Sequence, residues 1–266
     1  ATLEYLRGMH FEESSLHDAR TAKAHFDSGS TYDPRMPGIH YCDFCGQQLT
    51  PGHYDTLKDG RERCPECSAT TVRNKIQFKR VVNETHAELE KIFNITFRTK
   101  LEFHMVNARK VNKHLTDFKP TPEMDPRCVG YASPRKGKTV IYVENGSPLW
   151  NVKSTIVHEM THAWQFEHWN SENVGPGYDN QETNLLLHEG MAVWTEVQYY
   201  VAMGEIERAI RYMRNRELED NEYGIGMCLY LANYPIQQDS MLGTSKTPFN
   251  TLPPIPYASE EEAGEQ

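Results

Sequence analysis

The sequence predicts an α+β fold: a small mixed sheet and a helical second half, preceded by a compact cysteine module. Three observations predict it. Two C-x2-C pairs lie close together near the start, residues 101–143 carry strand-like alternation, and residues 147–234 carry helical periodicity with capping residues. At 266 residues the chain has room for one large domain or two to three small ones, and 38% hydrophobic residues suffice for a real core. A formal net charge of −9 gives no chain-wide attraction for phosphate backbones, so nucleic acid is not an expected partner. No apolar run approaches the ~18–20 residues of a membrane span. The segment ATLEYLRGMHFEESS has acidic residues where a secretion signal needs an apolar run, so a cytoplasmic location is expected.

Residues 1–38 read as a helical segment broken at Ser28-Gly29-Ser30 and at Pro34 and Pro37-Gly38. Residues 39–70 hold the cysteine module. From Thr71 to Phe93, Val72, Ile76, Val81, Leu89, Ile92 and Phe93 suit one amphipathic helix. Leu101, Phe103 and Met105 alternate with polar residues, which predicts a strand over 101–106. Residues 116–127 are Pro-rich loop. Val129–Ser133 and Thr139–Val143 flank Pro134-Arg135-Lys136-Gly137 and read as a hairpin. Ser147-Pro148 reads as an N-cap and first-turn proline, opening a helix to about Trp169. A loop over 170–180 leads to helices over Gln181–Met203, Glu205–Leu218 and Gly226–Tyr234. The domain expectation is therefore 1–38, 39–70, 71–246 and an acidic, Pro-rich tail over 247–266 expected to be disordered.

The first four cysteines are Cys42, Cys45, Cys64 and Cys67, with 18 residues between the pairs. Two residues between cysteines let one tight turn aim both thiolates at one metal, and two such turns complete a tetrahedron. Gly46 and Pro65 suit such turns. A structural Zn²⁺ is the expectation; two disulfides are the alternative, disfavoured because no secretion signal is legible. Some 30 residues cannot bury a core, so the metal would make this fold. His53 reads as a surface or hydrogen-bonding histidine, since four ligands are already supplied. Cys128 and Cys228 read as bystander thiols.

The expected helix after Ser147 contains His158-Glu159-Met160-Thr161-His162, an H-E-x-x-H pattern. Four helical residues advance about 400°, so both imidazoles lie on one face and can reach a single Zn²⁺. Glu159 stands about 100° round, placed to touch a water rather than the metal. A catalytic zinc takes three protein ligands and keeps one position open. His168 has the spacing of a metzincin ligand, but that pattern needs Gly where Gln165 stands, and a continuing helix turns His168 away. Glu189 is the better third ligand: it lies on the next expected helix amid Leu185, Leu186, Leu187, Met191 and Val193, where a carboxylate needs a partner. Glu196, seven residues on, faces nearly the same way and suits orienting a zinc-bound imidazole.

H-E-x-x-H followed by a helix bearing Glu189-Gly190-Met191-Ala192 and Glu196 resembles the gluzincin zinc peptidases, aminopeptidase-N-like enzymes in particular. The resemblance implies that Glu189 is the third zinc ligand. It also implies that Tyr223, in Tyr223-Gly224-Ile225-Gly226-Met227-Cys228-Leu229, stabilises the oxyanion; apart from the resemblance, His188 is a candidate second donor. No G-x-M-E-N motif for gripping a free N-terminus stands at the expected distance; Val143-Glu144-Asn145 is too near the zinc helix. In layout the chain is more similar to the plant LIM-domain peptidases that limit organ growth and are activated by ubiquitin. There a cysteine-rich zinc module directly precedes a core with H-E-M-x-H-A-W, matched here by His158–Trp164, and a downstream E-G. This chain has one pair of knuckles rather than a double-zinc LIM module. A ubiquitin-like partner is implied by that resemblance alone.

Together these features lead to the expectation of a zinc-dependent endopeptidase with a gluzincin-like core, acting on peptide or protein substrates, with one catalytic and one structural zinc. Glu159 would be general base, and Thr139–Val143 an edge strand pairing with extended substrate. The cysteine module would recruit a partner or substrate. The competing readings are an inactive zinc-stabilised binding module and a zinc hydrolase of a non-peptide bond.

Overall fold

The computed structural model describes residues 40–112, 128–174, 178, 180–217 and 219–254. The expected helical segment 1–38, the Pro-rich stretch 116–127, the Gly175-Pro176-Gly177 turn and the tail from residue 255 on lie outside the described residues. Two compact units form. One comprises the described parts of Ser30–Glu88 and Phe97–Trp164, the other Leu89–Thr96 and the described parts of Gln165–Gln266.

In the first unit the cysteine module is a minimal ribbon. Strands β1 (Asp55–Thr56) and β2 (Glu62–Arg63) pair antiparallel, and helix α1 (Pro65–Ala69) follows. The second cysteine pair is itself a helix start: Cys64 Sγ accepts from the Cys67 N–H at 3.4 Å, with Pro65 just inside. At the first pair Gly46 adopts φ +71°, a left-handed turn residue that a side chain would strain. Helix α2 (Lys75–Phe93) starts four residues later than its apolar pattern suggests. The reason is that Thr71 forms a backbone bridge with Pro148, the Val72 N–H donates to Ser147 O, and the Leu149 N–H donates to Thr70 O at 2.9 Å.

The sheet of this unit contains β3 (Lys100–Val106), then after the short helix α3 (Ala108–Val111) the hairpin β4 (Gly130–Arg135) and β5 (Lys138–Glu144). Its order is β3-β5-β4, with β3 parallel and β4 antiparallel to β5. The expected mixed sheet is therefore present, but Thr139–Val143 is its central strand, not an edge. Hydrogen bonding to β3 on one side and β4 on the other leaves it no free ladder; among the described residues β3 and β4 are the edges. Ile141 and Val143 are buried, as are Ile156, Val157, Met160 and Ala163 of helix α4 (Leu149–His168).

Ser147 does not cap α4. Its hydroxyl donates to the Glu144 carboxylate at 3.2 Å, and Pro148 O accepts the first helical N–H groups, from Asn151 and Val152. Glu144 is drawn into this corner by Arg61 of the ribbon. Both side chains are 1% exposed and their charged atoms stand 3.1 Å apart; Arg61 also pairs with Asp59 at 2.9 Å and donates to Asn145 Oδ1 at 3.2 Å. Arg63 donates to Gly146 O at 2.7 Å. The ribbon is thus bonded to the segment that launches α4.

The second unit is helical. A short helix α5 (Ser171–Val174) stands where loop was expected. Asn180 caps α6 (Gln181–Ala202), α7 (Ile206–Glu217) follows, and Asn221 caps α8 (Glu222–Asn233). Helix α8 begins four residues before the expected Gly226, because Asn221 Oδ1 accepts from the Tyr223 and Gly224 N–H groups at 3.1 Å. Trp194 is fully buried, donating to Tyr234 O at 2.7 Å and packing on Phe93. Among the described residues no helix is long and apolar enough to cross a membrane.

Two stability tests follow. Arg61→Met leaves the Glu144 carboxylate buried without its cation, for an expected loss of about 3–5 kcal/mol in urea unfolding; a parental midpoint would show that the pair carries no structural weight. Helices α6 and α8 cross at two glycines, where a Cβ on Gly190 would stand 2.5 Å from the backbone of Gly226. Backbone cannot yield as a side-chain tip does, so Gly190→Ala should cost about 1–3 kcal/mol or more, measured the same way.

Candidate metal centres

The structure brings Cys42, Cys45, Cys64 and Cys67 together, with all four sulfurs within 4.8 Å of one another. Zn–S bonds of ~2.3 Å put the corners of a tetrahedron about 3.8 Å apart. Cys45 Sγ and Cys64 Sγ are 3.7 Å apart. Backbone N–H groups face the sulfurs, Cys64 N–H to Cys42 Sγ at 3.4 Å among them. Four sulfurs this close cannot all ionise by themselves. Hydrogen bonds from Cys45 and Cys67 hold Cys42 far below the usual thiol range, while the same bonds, with burial, push Cys45 up to about 12 and Cys67 higher still. A divalent cation relieves that conflict, so the donor set fits a structural Zn²⁺. None of the four is in a disulfide. His53 is exposed, in keeping with its surface assignment, whereas His40 pairs with Glu62 at 2.6 Å.

The second group is His158, His162 and Glu189, each offering one ligand atom within 4.8 Å of the others. Helix α4 runs unbroken through both histidines, and their Nε2 atoms stand 3.1 Å apart. Zn–N bonds of ~2.0–2.1 Å at tetrahedral angles predict about 3.3 Å, so the two imidazoles fit one ion. With three protein donors the set leaves one of four positions open.

Glu159 is buried at 6% exposure on the same helix. Gly130, at the start of β4, packs close to it: a Cβ there would lie 2.7 Å from Glu159 Oε1 and closer still to Thr155. The lack of a side chain on Gly130 is what allows an edge strand to lie against this carboxylate. Tyr223 sits in the first turn of α8, its ring under the Arg216 guanidinium at 5.0 Å, one turn before the Gly226 that meets Gly190. The glycines of the Glu189-Gly190 and Tyr223-x-x-Gly226 patterns thus pack on each other and fix the two helices that carry Glu189 and Tyr223. Glu196 is buried and accepts from Tyr212 at 2.5 Å. Burial, partly offset by Arg216 and reinforced by Glu196, pushes the Tyr212 hydroxyl well above its usual range, so it stays a proton donor to Glu196.

Gln165, weighed in the sequence only as the residue in place of a glycine, has a place of its own. It is buried in α4, donates from Nε2 to His188 O at 3.0 Å and accepts from His188 Nδ1 at 3.0 Å. Tyr178 bonds the other ring nitrogen of His188 at 2.9 Å. His188, the candidate second oxyanion donor, therefore has both nitrogens engaged. The signal that could have found Gln165 is a buried amide on a ligand-bearing helix.

No family model, no curated protein and no solved structure matches the chain.

Burial pushes the Cys228 thiol up to about 12, and Cys128 is exposed. With zinc in the ribbon, maleimide at neutral pH should therefore label Cys128 alone by mass spectrometry. Chelation should add the four ribbon cysteines; ribbon cysteines that label equally fast before chelation would exclude a closed metal site.

Proposed function

We propose that the chain is a zinc-dependent peptidase of the gluzincin type, cleaving within protein substrates. The observation that carries this is the convergence of His158, His162 and Glu189 on one point, with a buried Glu159 on the same helix and an edge strand against it. His158, His162 and Glu189 would hold the zinc, which would supply Lewis acidity toward a carbonyl and a water.

The chain's own groups do the rest. The outer edge of β4, Gly130–Arg135, pairs with extended substrate and sets the scissile bond beside Glu159. The Glu159 carboxylate takes the proton of the attacking water and passes it to the departing nitrogen. The Tyr223 hydroxyl donates to the developing oxyanion. Internal cleavage is favoured over removal of N-terminal residues by the fate of Val143-Glu144-Asn145. Glu144 is buried against Arg61, and Asn145 accepts from the same guanidinium, so neither serves as a grip for a free amine.

Glu159→Gln should keep two zincs per chain by elemental analysis and lower cleavage of a denatured protein substrate about 10²–10⁴-fold. Parental cleavage by that variant would remove Glu159 as base. Tyr223→Phe should lower kcat about 10²–10³-fold with little change in KM, and an unchanged kcat would remove it from the oxyanion site.

A further inference from the structure

We infer that Gln165, acting through His188, is a positioning residue that aims the Glu189 carboxylate at the metal. The inference rests on the zinc-site reading above. Gln165 follows His162 by three residues on α4, and His188 immediately precedes Glu189 on α6. The clamp therefore binds two helices one residue from one ligand and one turn from another.

The hydrogen bonding is directional. The Gln165 amide must turn its NH₂ toward the His188 carbonyl, because a carbonyl only accepts. That leaves the Gln165 carbonyl oxygen facing His188 Nδ1, so this nitrogen carries the hydrogen. In the neutral ring Nε2 is then an acceptor, and the Tyr178 hydroxyl donates to it. Trp169 stands edge-on to the ring with centroids 5.0 Å apart, and Tyr178 flanks it at 5.9 Å. Backbone and ring of His188 are thus held together by one buried side chain. Successive helical residues stand about 100° apart, so fixing the rotation and height of α6 at His188 fixes where Glu189 points. Gln165 touches neither substrate nor metal in this role; it acts only through α6.

The test is made on the full chain with Zn²⁺, using a chromophoric chelator that resolves the His/Glu site from the tighter ribbon site. Gln165→Met keeps the length of the side chain and removes both hydrogen bonds. It should weaken zinc at the His/Glu site about 10–100-fold, leave the ribbon zinc unchanged, and alter the visible spectrum of the cobalt-substituted His/Glu site. Gln165→Glu, which still accepts from Nδ1 but cannot donate to the carbonyl, should fall between parent and Gln165→Met. A merely structural clamp would lower the unfolding midpoint and leave affinity and spectrum parental, and that result overturns the inference. Should Gln165→Met fail to fold, Gln165→Glu decides by the same two readouts. Glu189→Ala is measured in parallel. If it binds zinc as the parent does, the three-ligand reading itself falls; if it weakens binding while the Gln165 variants do not, only the role of Gln165 falls.

Discussion

Two imidazoles one helical turn apart can share an ion only if the helix that carries them cannot slide, twist or fray. Helix α4 meets that requirement at both ends. At its start, the backbone of Thr70–Val72 exchanges hydrogen bonds with Ser147 and Leu149, so the first turn is tied to the chain leaving the second cysteine pair. Near its end, the Gln165 amide grips His188 by ring and carbonyl. Between them Ile156, Val157, Met160 and Ala163 are buried, which fixes its rotation. Helix-forming sequence alone would leave some freedom at each end. Here the ends are held by partners that also belong to other parts of the candidate machinery.

This changes how the ribbon is understood. A recruitment module that came and went would meet the rest of the protein through a polar, easily wetted surface. The ribbon instead places Arg61 where 1% of its side chain reaches solvent, against a Glu144 just as buried. Separating them would strand a carboxylate in the protein interior. Leu57 packs at the same corner, close to where Gly146 would carry a side chain. The ribbon is a strut under the first turn of α4, so a metal held by its four cysteines would also support the helix of His158 and His162.

What the sequence made legible was local. C-x2-C and H-E-x-x-H are spacings within one turn, where chain geometry alone decides which side chains converge. The hairpin around Lys136-Gly137 was legible for the same reason. Pairing of β5 with β3 was not, because parallel partners are set by packing across a crossover, and the run Thr139–Val143 reads the same at an edge or in the centre. Ser147 looked like a cap because nothing nearby in sequence announces that Arg61, 86 residues earlier, has fixed the Glu144 carboxylate that takes its hydroxyl. The start of α8 differs because Gly224, in its first turn, lowers helix propensity, and Gly226 inside the expected helix does the same. Their value is steric: Gly224 faces the carbonyls of Arg216 and Glu219, and Gly226 faces Gly190. The two ligand groups were the most legible part of the molecule, and the amide that steadies one of them the least.

The two candidate centres differ in a way that donor counting alone explains. Four thiolates close a tetrahedron around Zn²⁺ and cancel more charge than the ion carries, leaving neither a position nor an electrophile for chemistry. Two neutral imidazoles and one carboxylate leave an ion with net positive charge and a vacant corner. The protein surrounds each accordingly. At the ribbon the sulfurs receive backbone N–H groups, which spread the excess negative charge. At the helix pair, a second carboxylate is held on the same helix but turned toward a strand edge, and the residue facing it is a glycine. A side chain there would collide with Thr155 and Glu159, so the glycine is what lets the strand and α4 approach this closely.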